Sequence, residues 1–324
     1  MRNISMSAAC VLGSLLIQTI LVLGQSPGTG AIQGSVIDPS GHPLPNVSVT
    51  IENEATHLSR SVMTNATGVF TAAMLPPGEY RSSVKVEGFA ESNVRSLPVV
   101  VSETSTIQFR LRIATVDTSL EVKADTEMAD TQSSSLGRAV DENSINALPL
   151  SNRNFTQILS LSPGVVVGLP DATVLGRGTQ DVESNGSKTT ANNIQFNGVD
   201  ANNLSQNSAA SDGEEVGVAV PAPDTIQEFK VQTGNYDATY GRGTGANVDV
   251  ISKTGTNHVH GDAWEFLRND LLNANDFFSK LDDQARPTLK QNQFGVAIGG
   301  PIRRDKTFFF GAYQGLRSSN GEGT

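Results

Sequence analysis

A single cysteine, a single tryptophan and a charged fraction of only 17% set the first limits on this 324-residue chain. The cysteine, Cys10, lies in an apolar N-terminal run. Everything after it is therefore built without disulfides and offers no thiolate for a metal or a nucleophilic mechanism. Lys and Arg number 23 against 33 Asp and Glu, for a net charge of -10. No basic stripe interrupts that excess, so the cationic face a nucleic-acid partner needs is missing. Long apolar runs are also scarce. The one present, Ala8 to Leu23, follows Arg2 and ends in Gly24-Gln25-Ser26-Pro27, which is the layout of a secretory signal peptide over residues 1–25. A retained membrane anchor is the alternative, and either reading exports the rest of the chain. Cys10 precedes most of the run and is badly placed for lipidation at a cleavage site.

What the chain does have is glycine, 31 residues of it, together with Ser, Thr and Asn between short Val/Ile/Thr-rich runs. This is a β-and-loop composition, and the length predicts two or three domains. In residues 26–114 the runs Ile32–Ile37, Val47–Glu52, Arg60–Thr64, Val69–Ala73, Glu79–Glu87, Leu97–Val101 and Thr106–Leu111 predict a seven-stranded β-sandwich. Turn chemistry separates them: Asp38-Pro39-Ser40-Gly41, Asn65-Ala66-Thr67-Gly68 and Pro76-Pro77-Gly78. The segments GSVIDPSGHPLPNVSVTI and TGVFTAAMLPPGEYRSSVKVEGF resemble the carboxypeptidase regulatory-like domain, a prealbumin-like sandwich. That group includes carbohydrate-binding modules. Sugar platforms use exposed aromatics, however, and Phe70, Tyr80, Phe89 and Phe109 sit in or beside strands, where core packing is the expectation. His42 and His57 lie in or near loops with no Glu spaced to complete a zinc site.

The middle stretch, residues 115–255, predicts an α+β unit. Ile145 and Leu148 stand at helical spacing before Pro149, and Phe155, Ile158, Leu159 and Leu161 predict a second short helix over Asn152–Leu161, closed by Pro163-Gly164. Strands are expected at Asn193–Asp200, Ile226–Thr233 and Ala246–Lys253. The long polar stretch Asp171–Asp212 reads as a functional or disordered loop. Its end supplies the one candidate ligand-contact set, the acidic and amide residues Asp200, Asn202, Asp212, Glu214 and Glu215, although the order of a Ca²⁺ loop is absent. Tyr240-Gly241-Arg242-Gly243-Thr244-Gly245-Ala246 lacks the ending of a phosphate cradle and reads as a tight turn in which Gly supplies positive φ. His258 and His260 could share a strand face, with no third metal ligand in view. No Ser/His/Asp arrangement is legible, so neither catalysis nor a cofactor is assigned.

The final stretch, residues 256–324, alternates. Phe294, Val296 and Ile298 form one face of a strand, and Gln293, Gly295, Ala297 and Gly299 form the other. Arg303-Arg304-Asp305-Lys306 turns the chain into a second, aromatic-rich strand, Thr307–Gln314. An exposed aromatic edge is an aggregation hazard, which predicts that the strands open a larger sheet. In Asp262–Arg268 the residues Ala263, Glu265 and Leu267 face one way and Asp262, Trp264, Phe266 and Arg268 the other. Trp264 and Phe266 suit either an interfacial aromatic girdle or a soluble sheet core.

In order, LPLSNRNFTQILSLSPGV, NNIQFNGVD and PDTIQEFKVQTGNYDATYGRGTGANVDVISKTGTN resemble the plug domain of TonB-dependent outer-membrane receptors of the Oar-like subgroup. HGDAWEFLRND and NQFGVAIGGPIRRDKTFFFGAYQGLR resemble the first barrel strands of that subgroup. The resemblance implies a mainly β chain: sandwich, plug, then the first strands of a transmembrane β-barrel. It also implies placement in the outer membrane with sandwich and plug on the periplasmic side. The implied partners are outer-membrane lipid, the TonB energy-transducing complex and a small-molecule, glycan or peptide ligand. The contact segment for TonB is the weak point of the match, with Ser119-Leu120-Glu121-Val122 the nearest candidate. The competing expectation is a secreted or surface adhesion protein whose sandwich binds glycan.

Overall fold

The computed structural model describes residues 28–114, 120–123, 135–148, 150, 153, 155–167, 182–202, 221–236, 240–275, 277–286 and 288–320. The stretch read as a signal peptide lies outside them. The first unit has the seven expected strands: β1 (Gly30–Ile37), β2 (Ser48–Asn53), β3 (Ser59–Met63), β4 (Val69–Leu75), β5 (Gly78–Val84), β6 (Ser92–Val99) and β7 (Thr104–Arg110). They form two sheets, β4-β1-β7 and β3-β2-β5-β6. Alternation decides what lies between the sheets. Ile32, Val36, Val49, Ile51, Phe70, Leu97 and Phe109 are fully buried in a single core, with Tyr80 beside them. Phe89 packs on that core as well, so all four sandwich aromatics are engaged in packing. A further strand, β8 (Leu120–Lys123), comes from the linker. It extends the second sheet by pairing parallel to β6, Ser92 opposite Leu120 through Arg95 opposite Lys123.

The plug consists of β9 (Leu136–Asp141), α1 (Glu142–Ala147), α2 (Thr156–Leu159), the side hairpin β10 (Val165–Val167) and β11 (Val182–Ser184), and then β12 (Asn193–Phe196), β13 (Val199–Asp200), β14 (Ile226–Gly234) and β15 (Asn247–Ser252). Its main sheet has the order β13-β12-β15-β14-β9. Asp141 caps α1 by accepting the Ser144 N–H at 3.0 Å. The second helix is shorter than its apolar pattern predicts. One turn suffices to bury Ile158 and Leu159, and Leu161 is left exposed as the chain turns at Gly164, which has φ +80°. The β12–β13 hairpin turns on Asn197 and Gly198, at φ 51° and 77°. Both values are positive, as the tightest hairpin turn requires, and Asn-Gly is the pair that adopts it most readily.

The last unit is a meander of β16 (His260–Asn269), β17 (Leu289–Arg303) and β18 (Thr307–Asn320), with α3 (Phe277–Leu281) in the loop between the first two strands. β16 and β17 pair without a slip from His260↔Gly299 to Asn269↔Lys290. That register puts Trp264 opposite Gly295 on the face shared with Gln293 and Ala297, which are 3% and 2% exposed. Trp264 and Phe266 therefore face inward and do not belong to an interfacial girdle. A Cβ on Gly295 would lie 2.3 Å from the Trp264 ring and 2.7 Å from the Tyr313 carbonyl oxygen, so only glycine leaves room for the indole.

Candidate functional site

The main plug sheet has two unlike faces. On one, Phe229, Val231, Val248, Val250 and Ile194 pack with Ile145, Ile158 and Leu159 of the helices. On the other, strand pairing lays out a polar grid: Asn193, Asn247 and Gln232 in one row, Gln195, Asp249 and Lys230 in the next. Glu228 continues the grid along β14. These residues are polar and most are buried, Lys230 at 2% and Asp249 at 1% exposure. Buried charge is expensive unless it is paired.

The sandwich supplies the pairing for Lys230 and Asp249. Its turn between β6 and β7, Val100–Glu103, lies over the second row of the grid. Lys230 Nζ donates to the Ser102 carbonyl at 3.0 Å and forms an ion pair with Glu103 at 3.1 Å. Ser102 Oγ donates to Asp249 Oδ2 at 2.8 Å, as does the Tyr240 hydroxyl at 2.7 Å. The Val101 N–H donates to Glu228 Oε1 at 2.6 Å. Gln227 Nε2 adds a bond to the Pro77 carbonyl at 3.2 Å. Burial pushes the Glu228 carboxyl up to about 7, with the Val101 N–H opposing, Glu103 adding to the rise, Lys230 opposing and Asp141 adding. Burial also raises Asp249, against the hydrogen bonds from Tyr240 and Ser102 and the charge of Lys230.

Two basic residues of the middle unit reach the meander. Lys253 pairs with Glu142 at 2.7 Å and with Asp262 of β16 at 3.4 Å. The Arg153 guanidinium lies 4.1 Å from the centre of the Phe266 ring and pairs with Asp224. Where sandwich, plug and the turn-side end of β16–β18 meet, a cavity of about 1090 Å³ opens, with Tyr80, Gln227, Lys253, His260 and Phe309 among its lining.

The expected ligand-contact residues divide. Asp200 and Asn202 hold the base of the loop: Asp200 pairs with Arg242, and the buried Asn202 amide bonds Asn193, Ile194 and Asp200. Asp212, Glu214 and Glu215 lie outside the described residues. In the Tyr240–Ala246 turn, Arg242 takes the positive φ, at 73°. The expectation that a glycine would do so is corrected, since Gly243 and Gly245 instead let the turn approach the backbone of Ala191. His260 Nδ1 is 3.0 Å from the His258 carbonyl oxygen, and its ring stacks on Phe310. Among the described residues no group of three or more His, Cys, Asp or Glu could hold a metal ion. The junction residues Lys230, Asp249 and Glu228 escaped the sequence reading. Their one signal was charge at alternate positions in EFKVQ and NVDV, strands whose intervening residues are apolar.

The outer face of the meander is the reverse of an aqueous sheet. Val296, Ile298, Ile302 and Tyr313 stand 48–70% exposed while Gln291, Gln293 and Ala297 are buried. Phe294 to Ile302 spans nine residues, eight steps, of β17. At ~3.3 Å per residue and a ~40° tilt this covers roughly 20 Å of depth, near the ~25 Å apolar band of outer-membrane barrels. Asn292 and Lys290 bound it at one end and Arg303-Arg304 at the other.

A polar sheet face beneath a sandwich, followed by three strands with an apolar outside, is the layout expected at the start of a plugged outer-membrane β-barrel. In chain order, residues 31–112 match the Carboxypeptidase regulatory-like domain, residues 128–248 the TonB-dependent Receptor Plug Domain and residues 251–324 an Outer membrane beta barrel domain. It is 23% identical over 300 residues to the TonB-dependent transporter Oar of Myxococcus xanthus, covering 88% of this chain and 26% of that protein. Solved structures similar to it include the siderophore receptor PirA from Acinetobacter baumannii, at 18% identity and TM-score 0.41, covering 55% of this chain and 24% of the other. The outer membrane transporter YddB from Escherichia coli is similar at 16% identity and TM-score 0.45, covering 56% and 26%. The chain thus spans about a quarter of the length of its curated relative.

Proposed function

We propose that this chain acts as part of an outer-membrane TonB-dependent receptor that takes up its ligand through a plugged β-barrel, with sandwich and plug on the periplasmic side. We divide it into a signal peptide at 1–25, sandwich at 26–114, plug at 115–255 and barrel strands from 256. The observation that carries this reading is the inverted face pattern of β17. Buried glutamines toward the plug and exposed Val296 and Ile298 on the outside suit lipid as the outer solvent and a plug as the inner one.

In this reading the TonB complex pulls on the linker between sandwich and plug. The candidate contact segment, Ser119–Val122, contributes Leu120–Val122 to β8, an edge strand held on β6 by backbone pairing. Backbone pairing is sequence-tolerant and can be exchanged for pairing with another strand. Ligand contact falls to the acidic loop that ends in Asp212, Glu214 and Glu215. Replacing those three with Ala is expected to weaken uptake, and unchanged uptake would remove them from the site.

Fractionation of cells making the full-length protein tests the whole reading. Recovery in the outer membrane, with a pore that conducts only after the plug is deleted, is the expected result. Recovery in the soluble secreted fraction would overturn it.

A further inference from the structure

The junction between sandwich and plug gathers more carboxyl groups than it has cations to neutralise. Among the described residues, Lys230 is the cation of the cluster. Around it stand Glu103 from the sandwich turn at 3.1 Å, Asp249 directly opposite on β15, and Glu228 on its own strand. Asp141, at the end of β9, is the strand partner of Glu228 on the other side. Tyr240 adds a neutral hydroxyl donor. Asp141 is exposed and caps α1, but one ammonium still cannot balance Glu103, Glu228 and Asp249 at a largely buried junction, so the docked arrangement favours a proton on one carboxyl. Glu228 is the natural holder, because among the described residues its hydrogen bond comes from a backbone N–H, whereas Asp249 accepts two hydroxyls and Glu103 meets Lys230 directly.

We propose that docking of the sandwich onto the plug takes up a proton, so that the Val100–Glu103 turn is a latch that grips the plug at acid pH and loosens as the surroundings approach neutrality. The grip falls on β14 and β15, the two strands through which the plug sheet joins β9 to β12. Releasing it frees the polar face of the sheet without disturbing the apolar face packed on α1 and α2. The interface is polar and contributed mainly by the Val100–Glu103 turn, with one further bond at Pro77, which is the kind of contact across which domains move reversibly.

The sign follows from Glu228. When docked it holds its proton up to about pH 7; exposed to water it gives it up near the ordinary glutamate value of 4.5. Docking is therefore tightest at and below that lower value, weakens as pH rises from there to about 7, and is level above.

The test is the distance between nitroxide labels on Ser40→Cys, in an exposed sandwich turn, and Glu183→Cys, on the exposed side of β11, in the full-length receptor carrying Cys10→Ser. A narrow distance distribution at about pH 5.5 and a broad one at about pH 8 are expected, with the docked fraction relative to the undocked falling by roughly tenfold or more. Glu228→Gln, which keeps the shape and removes the titration, should stay narrow at both pH values. Ser102→Ala, which deletes one donor to Asp249 and leaves both folds intact, should move the transition toward acid. The proposal is overturned if the unmodified junction gives one distribution at both pH values, or if Glu228→Gln responds to pH as the native protein does.

Discussion

β7 of the sandwich and β17 of the meander are both alternating strands, and they alternate in opposite senses. In β7, Ser105, Ile107 and Phe109 are buried while Thr106, Gln108 and Arg110 face out. In β17, Gln291, Gln293, Ala297 and Gly299 are the inner set and Val296 and Ile298 the outer. The pleat is the same, so the difference lies in the solvents. β7 separates an apolar core from water, and in the proposed reading β17 separates the plug from lipid. A period of two shows that a strand has two faces, but the chemistry of the small and polar residues shows which face meets which solvent.

The largest predicted effect is in the sandwich. Phe109→Ala removes a ring packed on Phe70, with centroids 6.3 Å apart, and is expected to cost about 3–5 kcal/mol. Hydrogen exchange in the full-length protein should speed up in β1 and β7 while leaving β17 unchanged. If β17 loosened equally, the two strands would belong to one cooperative unit and the contrast would fail. Next comes Val296→Arg, expected to cost about 2–4 kcal/mol in refolding into lipid vesicles, whereas an arginine at Gln108, on the outer face of β7, should cost no more than ~0.5 kcal/mol. Equal effects at the two positions would mean that β17 faces water.

Gly295→Val sharpens the account of the inner face. It forces a side chain against Trp264 and the Tyr313 carbonyl, at about 1–3 kcal/mol. Trp264 is the chain's one tryptophan, so its emission should shift as the indole is displaced, and an unmoved spectrum would argue against the register. The smallest effect is expected for Asn197→Ala, at about 1 kcal/mol, because alanine lacks the side chain that eases φ 51° in the plug hairpin. Chemical denaturation should detect it without change at the membrane strands.

Much of the architecture was legible because it is local. The seven sandwich strands, the first plug helix and the faces of β17 follow from periodicity and turn residues within about ten positions of each other. The junction was not legible, because its bonds between domains join residues 127 to 150 positions apart, as with Val101 to Glu228 and Gln227 to Pro77. Sequence shows that Lys230 and Asp249 alternate with apolar neighbours, but it does not show which domain covers them. Trp264 was ambiguous for a different reason. Each face of β16 mixes apolar and charged residues, and only pairing with Gly295 settled its side.

Cysteine scanning through Val296, Ala297 and Ile298 of the full-length protein in vesicles, with a fluorophore on each in turn and Cys10 replaced by Ser, tests the central claim most directly. Quenching by nitroxide-bearing lipid should be strong at 296 and 298 and weak at 297, while a water-soluble quencher reaches neither 296 nor 298. Uniform quenching along the three positions, or ready access of the aqueous quencher to Val296 and Ile298, would contradict it.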